Sequence, residues 1–393
     1  MEPAPHHLYV HVPFCRLVCA YCDFVTVGGR ADDIPRYVDA LLAELNARPK
    51  PGALRTIYFG GGTPSLLRGD QLGQVIDAAA AGWGIDRPVV EVTVEANPSG
   101  RETPDWAGMR AAGVNRISLG VQSLRDAELA RLARGHTALE ARTAYAEARR
   151  AGFDNVSIDL IYGLPEQSLA DWREGLAAAI DLGPDHISCY ALQLALEPDE
   201  WAAPPRPGAL RWRERVAPRQ DEGVAADQYV LAETMLSAAG FEHYELSSWA
   251  RPGRESIHNQ AYWSRRAYTG IGAGAHSYDG VGTRSWNARE LDAYLAAAGC
   301  GQRPLAGAEE LDGETQAFEA IALGLRRVTG LDRRAFSAEF GCDPVERWSA
   351  VIERMRGRGM LEVTDRAIRL TEAGRLLASE VLVDFAPDTA TVR

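Results

Sequence analysis

Six short runs rich in β-branched and aromatic residues punctuate the first half of this chain: LYVHV (8–12), RTIYF (55–59), VVEVTVE (89–95), NRISLGV (115–121), NVSIDLIY (155–162) and HISCYALQL (186–194). Helical patterns lie between them. Ile34, Tyr37, Val38, Leu41, Leu42 and Leu45 form one apolar stripe at helical spacing. Thr137 and Glu140 stand in capping-box spacing ahead of a second helix that ends in Arg149, Arg150 and Gly152, and a third begins at Ser168. Strand–helix repeats of this kind build a parallel sheet with right-handed crossovers. The unusual residues sit where the runs end: three cysteines after the first, GGGTPS after the second, Glu95 on the third, Gln122 after the fourth. Ligand sites of parallel α/β folds gather at that edge. Several strands contributing to one site favour a curved sheet over a flat one. The expected fold is therefore α/β, a partial (β/α)6 TIM-like barrel over residues 1–200.

The texture changes beyond it. Residues 201–224 are rich in Pro and Arg and read as a loop or lid. Residues 225–309 form an extension. Residues 310–393 alternate helices with a hairpin-like pair, an α+β pattern that resembles a winged-helix unit. The formal charge of −12 argues against nucleic acid as a partner, because phosphate binding calls for a basic face. An interaction or support role is thus expected for the last unit. There is no apolar run long enough for a membrane span and no secretory pattern, so a cytoplasmic location is expected. His6 and His7 read as part of a loose N-terminal lead-in. Cys189, Cys300 and Cys342 are scattered and read as small buried hydrophobes.

The stretch FCRLVCAYCDF (14–24) carries the chemistry. Cys15, Cys19 and Cys22 are one ligand short of a structural zinc site, which wants four. A catalytic zinc with an open position is the alternative, although such sites usually include His. Iron–sulfur clusters are also held by closely spaced cysteines, and three thiolates on a four-iron cluster leave one iron for a small molecule. The glycines of YFGGGTPS let backbone approach a ligand closely. They are not a phosphate-binding loop, since no Lys follows at the required spacing.

The three-cysteine spacing, with Tyr21 just before the last cysteine and GGGT after the second strand, resembles the radical S-adenosylmethionine (SAM) superfamily. LYVHVPFC, YFGGGTPSLL, VEANP, RISLGVQS, IDLIYGLPEQS and YELSSWARPG resemble, in order, its HemN-like branch, which holds oxygen-independent coproporphyrinogen III oxidase and its heme-chaperone relatives. The resemblance implies a [4Fe-4S] cluster on Cys15, Cys19 and Cys22, and SAM contacts at Tyr9, Tyr21, Gly61, Gly62, Thr63, Glu95, Gln122, Arg134 and Asp159. Glu95, Gln122 and Asp159 suit ribose hydroxyls or the ammonium, and Arg134 suits the carboxylate. The competing readings are a helix cap for Glu95, an exposed helix residue for Arg134 and plain core packing for Tyr9. Three features point to the chaperones over the oxidase: Phe24 replaces an additional cysteine, only 14 residues precede Cys15, and HNQAYW (258–263) resembles the chaperones' HNxxYW signature. His258 is then the candidate axial ligand of heme iron, with His276 as competitor. GIGAGAHSY (270–278) has a counterpart that returns to the cofactor site in the oxidase. The resemblance further implies heme, acceptor heme proteins of respiratory or membrane-associated kind, a flavodoxin- or ferredoxin-type electron donor, and a homodimer. A radical enzyme acting on porphyrins is the second reading. A zinc scaffold is the third.

Overall fold

The computed structural model describes residues 5–83, 91–100, 102–194 and 207–387. Residues 89–90 of the third run, 201–206 of the Pro/Arg-rich segment and 388–393 of the last unit lie outside that set. Six strands, β1 (Pro5–Val12), β2 (Ala53–Gly61), β3 (Glu91–Ala96), β4 (Arg116–Gln122), β5 (Val156–Tyr162) and β6 (His186–Ala191), lie side by side in sequence order. Every adjacent pair among them is parallel. The order never reverses, so the sheet is wound in one direction, as in barrel folds. Helices Ala138–Arg150 and Leu169–Asp181 open with the capping boxes Thr137/Glu140 and Ser168/Asp171. The α/β fold read from the sequence is thus present.

The extension lengthens both edges. β7 (Glu242–Glu245) and β8 (Ser248–Ala250) add beyond β6, while β9 (Tyr268–Ile271), β10 (His276–Tyr278), β11 (Thr283–Asn287) and β12 (Leu305–Glu310) add beyond β1. These twelve strands form one open sheet, ordered β12-β11-β10-β9-β1-β2-β3-β4-β5-β6-β8-β7. No described helix is long and apolar enough to cross a membrane.

The two faces of the parallel strands differ. Leu8, Val10, Val12, Ile57, Phe59, Val94, Ile117, Leu119, Ile158 and Ile187 are fully buried in the main apolar core. The alternate positions, Tyr9, His11, Tyr58, Glu95, Arg116, Ser118, Asp159, His186 and Ser188, share the opposite face, as the register shows (Tyr9 beside Tyr58, Glu95 beside Ser118, Asp159 beside Ser188). Parallel strands covered on both faces usually read as continuous apolar runs. A period of two with one polar face sets polar side chains along one side of the strands, where Tyr58, Glu95, Arg116, Ser118, Asp159, His186 and Ser188 line a cavity.

Three expectations are corrected here. Residues Pro207–Val216 are a helix, followed by the 3-10 turn Ala217–Arg219, so the described part of the Pro/Arg-rich segment is not a loop. Proline is tolerated in a first helical turn, and Arg213 and Val216, one turn apart, bury the inner face. His6 and His7 are not a loose lead-in but 3% exposed. His6 Nε2 meets Thr269 Oγ1 at 2.9 Å and His7 Nδ1 meets Thr56 Oγ1 at 2.8 Å, because β9, distant in sequence, covers the free edge of β1. Of the scattered cysteines only Cys189 is buried. Cys300 is exposed and Cys342 half-buried.

The last unit has its own core, built on Ile321, Phe336, Ile352, Met355, Ile368 and Phe385 around a three-stranded sheet. Helix Arg333–Phe340 enters the pattern read from the sequence. Arg375 of this unit pairs with Glu233 at 2.5 Å, and the backbone N–H of Val328 donates to Tyr244 O at 3.1 Å.

Candidate cofactor site

The loop after β1 is seated by backbone. Gly62 N–H donates to Val12 O and Thr63 N–H to Phe14 O, both at 2.8 Å, and Val27 N–H returns to Pro13 O at 2.8 Å. A Cβ on Gly62 would lie 2.7 Å from Phe14 O and from Pro13 C and O. At Gly61 (φ +113°) it would lie 2.5 Å from the His11 ring. These glycines therefore let β2 press against the base of the cysteine loop. The close approach they permit is to the protein's own backbone as well as to the cavity.

Cys15, Cys19 and Cys22 line one cavity of about 450 Å³, together with Tyr21, Gly61, Gly62, Thr63, Glu95, Gln122, Arg134 and Asp159. All three thiols are free. Thr63 Oγ1 donates toward Cys15 Sγ at 3.6 Å, and Arg134 Nη1 toward Cys19 Sγ at 3.1 Å. Burial pushes the Cys15 thiol up to about 12 and the Cys22 thiol to about 11. A metal centre would displace those protons on binding. Among the described residues no three His, Cys, Asp or Glu side chains converge on a single ion. A cubane, whose ligated irons occupy separate corners, asks for thiolates that stand apart.

Glu95 does not cap a helix. Its carboxylate accepts from Tyr58 OH at 2.8 Å and from Gly61 N–H at 3.1 Å, while Asp105 caps the next helix, Trp106–Ala111. Burial, with the Asp159 carboxylate adding to it, raises the Glu95 carboxyl to about 7 against the Tyr58 and Gly61 bonds. Asp159 accepts from Ser118 Oγ at 3.2 Å and is likewise raised by burial. Gln122 has φ +65°, rare for a side-chain-bearing residue, at a register shift between β4 and β5. Such outliers cluster at ligand sites. Arg134 is no solvent-facing helix residue: it reaches Tyr21 OH at 3.3 Å, Asn97 Oδ1 at 2.5 Å and Gly120 O at 2.9 Å as well as Cys19.

Two named residues lie elsewhere. Tyr9 stacks on Tyr58, with centroids 6.2 Å apart, and meets His11 Nδ1 at 3.0 Å. It sits beneath the cavity wall instead of on it. His258 is 1% exposed and both its ring nitrogens are engaged, Nδ1 with Thr56 Oγ1 at 2.7 Å and Nε2 with Tyr262 OH at 2.8 Å. Burial holds its pKa well below the ordinary value. His258, expected above as the axial ligand of heme iron, thus has both nitrogens engaged by Thr56 and Tyr262, as a buried imidazole requires. His276 stacks on Trp286 at 6.0 Å and lines neither this cavity nor the one described next. The stretch 270–276 leaves β9 beside β1 and meets helix Ile34–Ala47, with Ala273 N–H donating to Tyr37 OH at 2.9 Å, and does not line the cysteines' cavity.

Tyr262 and Trp263 line a second cavity of about 260 Å³ with Tyr268, Tyr278, Arg265, Arg266 and Arg284 on the extension and Glu319 and Leu323 on the last unit. Asn259, on the same short helix Ile257–Trp263, lines the first. The sequence reading missed Tyr58, Asn97, Arg116, His186, Ser188, Tyr190 and Asn259 as lining residues. For those on strands the signal was present as polar residues alternating with apolar ones. For Asn97 and Asn259 the signal was their place in the VEANP and HNxxYW stretches.

The fold and cysteine loop are those of a radical SAM protein, and the comparisons agree. Residues 9–178 match the Radical SAM superfamily and residues 311–377 the HemN C-terminal domain. The chain is 39% identical to the heme chaperone HemW of Mycobacterium tuberculosis, over 97% of its own length and 95% of that protein. It is 33% identical to the heme chaperone HemW of Bacillus subtilis, over 96% and 98%. Among solved structures, coproporphyrinogen III oxidase (HemN) from Escherichia coli superposes with a TM-score of 0.81 at 22% identity, over 98% of this chain and 90% of that one. The chain belongs to the HemN-like branch of the radical SAM superfamily.

Proposed function

We propose that this protein is a heme chaperone that holds a [4Fe-4S] cluster on Cys15, Cys19 and Cys22, binds SAM beside it and passes heme to acceptor heme proteins. The observation that carries the reading is the convergence of the three thiols with Glu95, Gln122, Arg134 and Asp159 on one cavity. The residues fit both groups. Donors aimed at the sulfurs suit an anionic cluster, and two carboxylates suit a ligand that carries a sulfonium and an ammonium. When bound, the cluster would be held by Cys15, Cys19 and Cys22 and would supply one-electron reduction. Glu95 and Asp159 hold the positive end of the ligand, Gln122 its hydroxyls, and Arg134 stays on the cluster side, where its bonds already lie.

Heme docks against the Tyr262–Trp263 cavity in this proposal, with its carboxylates toward Arg266 and Arg284. The relatives' names supply the ligand, and the flat aromatic walls and guanidinium groups suit it. The cavity is smaller than the roughly 300–1,000 Å³ of ordinary small-molecule pockets, so it grips one edge of the macrocycle. An electron donor of flavodoxin or ferredoxin type, respiratory acceptors and a second copy of the chain belong to the same proposal, as does a division of labour among segments 1–200, 225–309 and 310–393.

Anaerobic reconstitution followed by heme titration tests it. About four irons and four sulfides per chain, and a Soret band shifted from that of free heme, are expected. The shift should weaken in Trp263→Leu and Arg266→Ala. A colourless reconstituted chain refutes the cluster, and an unshifted Soret band refutes the chaperone.

A further inference from the structure

Among the described residues of the segment read as a loop or lid, one charge is buried. Arg213, on helix Pro207–Val216, is 1% exposed. Its Nε donates to Ala20 O at 3.0 Å, and its Nη2 donates to Cys22 O at 3.2 Å and pairs with Asp23 Oδ1 at 2.6 Å. These three acceptors lie within four consecutive residues of the cysteine loop, some 190 positions away in sequence. The loop has little regular structure: beyond the two-residue pairing of Phe14–Cys15 with Val27–Gly28, its internal backbone bond is Cys22 N–H to Cys19 O at 3.2 Å. A loop so short of internal bonds takes its shape from what grips it. Arg134 grips one side, at Cys19 Sγ and Tyr21 OH, and Arg213 the other.

We propose that Arg213 is a positioning residue that pre-shapes the loop carrying Cys19 and Cys22 for its metal cluster. This rests on the cluster reading above. The planar guanidinium presents several donors in a fixed fork, so one side chain fixes the directions of two carbonyls at once. Burying that charge is tolerable because Asp23 and the carbonyls compensate it. The helix and the cluster loop then order one another. By neutralising Asp23, Arg213 also keeps an unpaired negative charge away from the thiolates, so its removal disfavours the more negative, reduced state of whatever centre they hold, since nearby charge and hydrogen bonds set cluster potentials.

Hydrogen exchange by mass spectrometry on the metal-free full chain tests the clamp. Arg213→Ala and Arg213→Gln should raise exchange in residues 14–24 at least tenfold while residues 156–162 stay protected. Arg213→Lys should restore part of the protection, and Arg215→Ala, an exposed neighbour on the same helix, should behave as wild type. After anaerobic reconstitution, Arg213→Gln should bind fewer irons per chain and show a lower midpoint potential with altered EPR g-values. Unchanged exchange of residues 14–24 in Arg213→Ala, or melting of helix 207–216 alone, overturns the clamp. A wild-type chain that takes up no iron overturns the cluster reading instead, and the exchange result still decides the clamp.

Discussion

Gly62→Ala should detach the cysteine loop from β2 while leaving the rest of the sheet folded. Gly62 does not have a positive φ, so alanine meets no backbone strain. What it meets is backbone atoms of Pro13 and Phe14 at 2.7 Å, far inside the 3.4 Å at which ordinary contact begins. Backbone cannot rotate away as a side chain would. Overpacking of this kind costs about 1–3 kcal/mol. Relieving it breaks Gly62 N–H to Val12 O and Thr63 N–H to Phe14 O, at about 1 kcal/mol each. The expected loss is about 3–5 kcal/mol. Gly253→Ala is the control: Gly253 has φ +76° and open space around its Cβ position, so only the left-handed strain of about 1–2 kcal/mol applies. Urea unfolding of the metal-free chains, followed by tryptophan fluorescence, measures the difference. Iron uptake should fall in Gly62→Ala and stay normal in Gly253→Ala. If the two variants lose equal stability and load equal iron, the glycine is not there for backbone approach and the reasoning fails.

Glu95→Gln should weaken SAM binding about tenfold or more. In the wild type, affinity should rise as the pH passes through about 7 and level off above it, because the Glu95 carboxyl, held at about 7, must ionise to meet a cation. Equilibrium dialysis from pH 6 to 8 checks both, and a flat wild-type profile refutes the assignment. Acid should destabilise the metal-free chain between pH 6.5 and about 4. His6, His7, His11 and His136 are lowered by burial from 6.5 to about 4, so the unfolded chain binds more protons throughout that window. Stability is then fully present above pH 6.5 and lost as the pH falls, by up to about 1.4 kcal/mol per pH unit for each group. Melting temperatures across that range, with His7→Gln flattening the slope, are the measurement. Arg134→Lys should lower iron uptake and destabilise the loop, because an ammonium cannot reach Cys19, Tyr21, Asn97 and Gly120 together. Normal iron stoichiometry in that variant argues against it.

Much of the scaffold was legible because its signals are local. β-branched runs, apolar stripes and the Thr137/Glu140 and Ser168 caps set strands and helices through interactions a few residues long. The cysteine spacing and the glycine run likewise announce their chemistry within one stretch. The polar face of β2 to β6 was also written in the alternation of Tyr58, Glu95, Ser118, Asp159 and Ser188 with apolar neighbours, but it takes meaning only once the strands are in register. Long-range pairing had no local signal. Tyr262 lies one helical turn from His258 inside the HNxxYW stretch, but nothing there says that Thr56 will take the other nitrogen. Nothing in a Pro/Arg-rich segment says that Arg213 will end in the cluster loop.

The order of elements and the presence of three closely spaced thiols could be read from residue type and short spacings alone. Which polar groups face the cavity, and which are consumed in the core, depended on how the folded chain packs. A buried donor or acceptor takes the nearest partner that packing brings to it, and that partner is often hundreds of residues away.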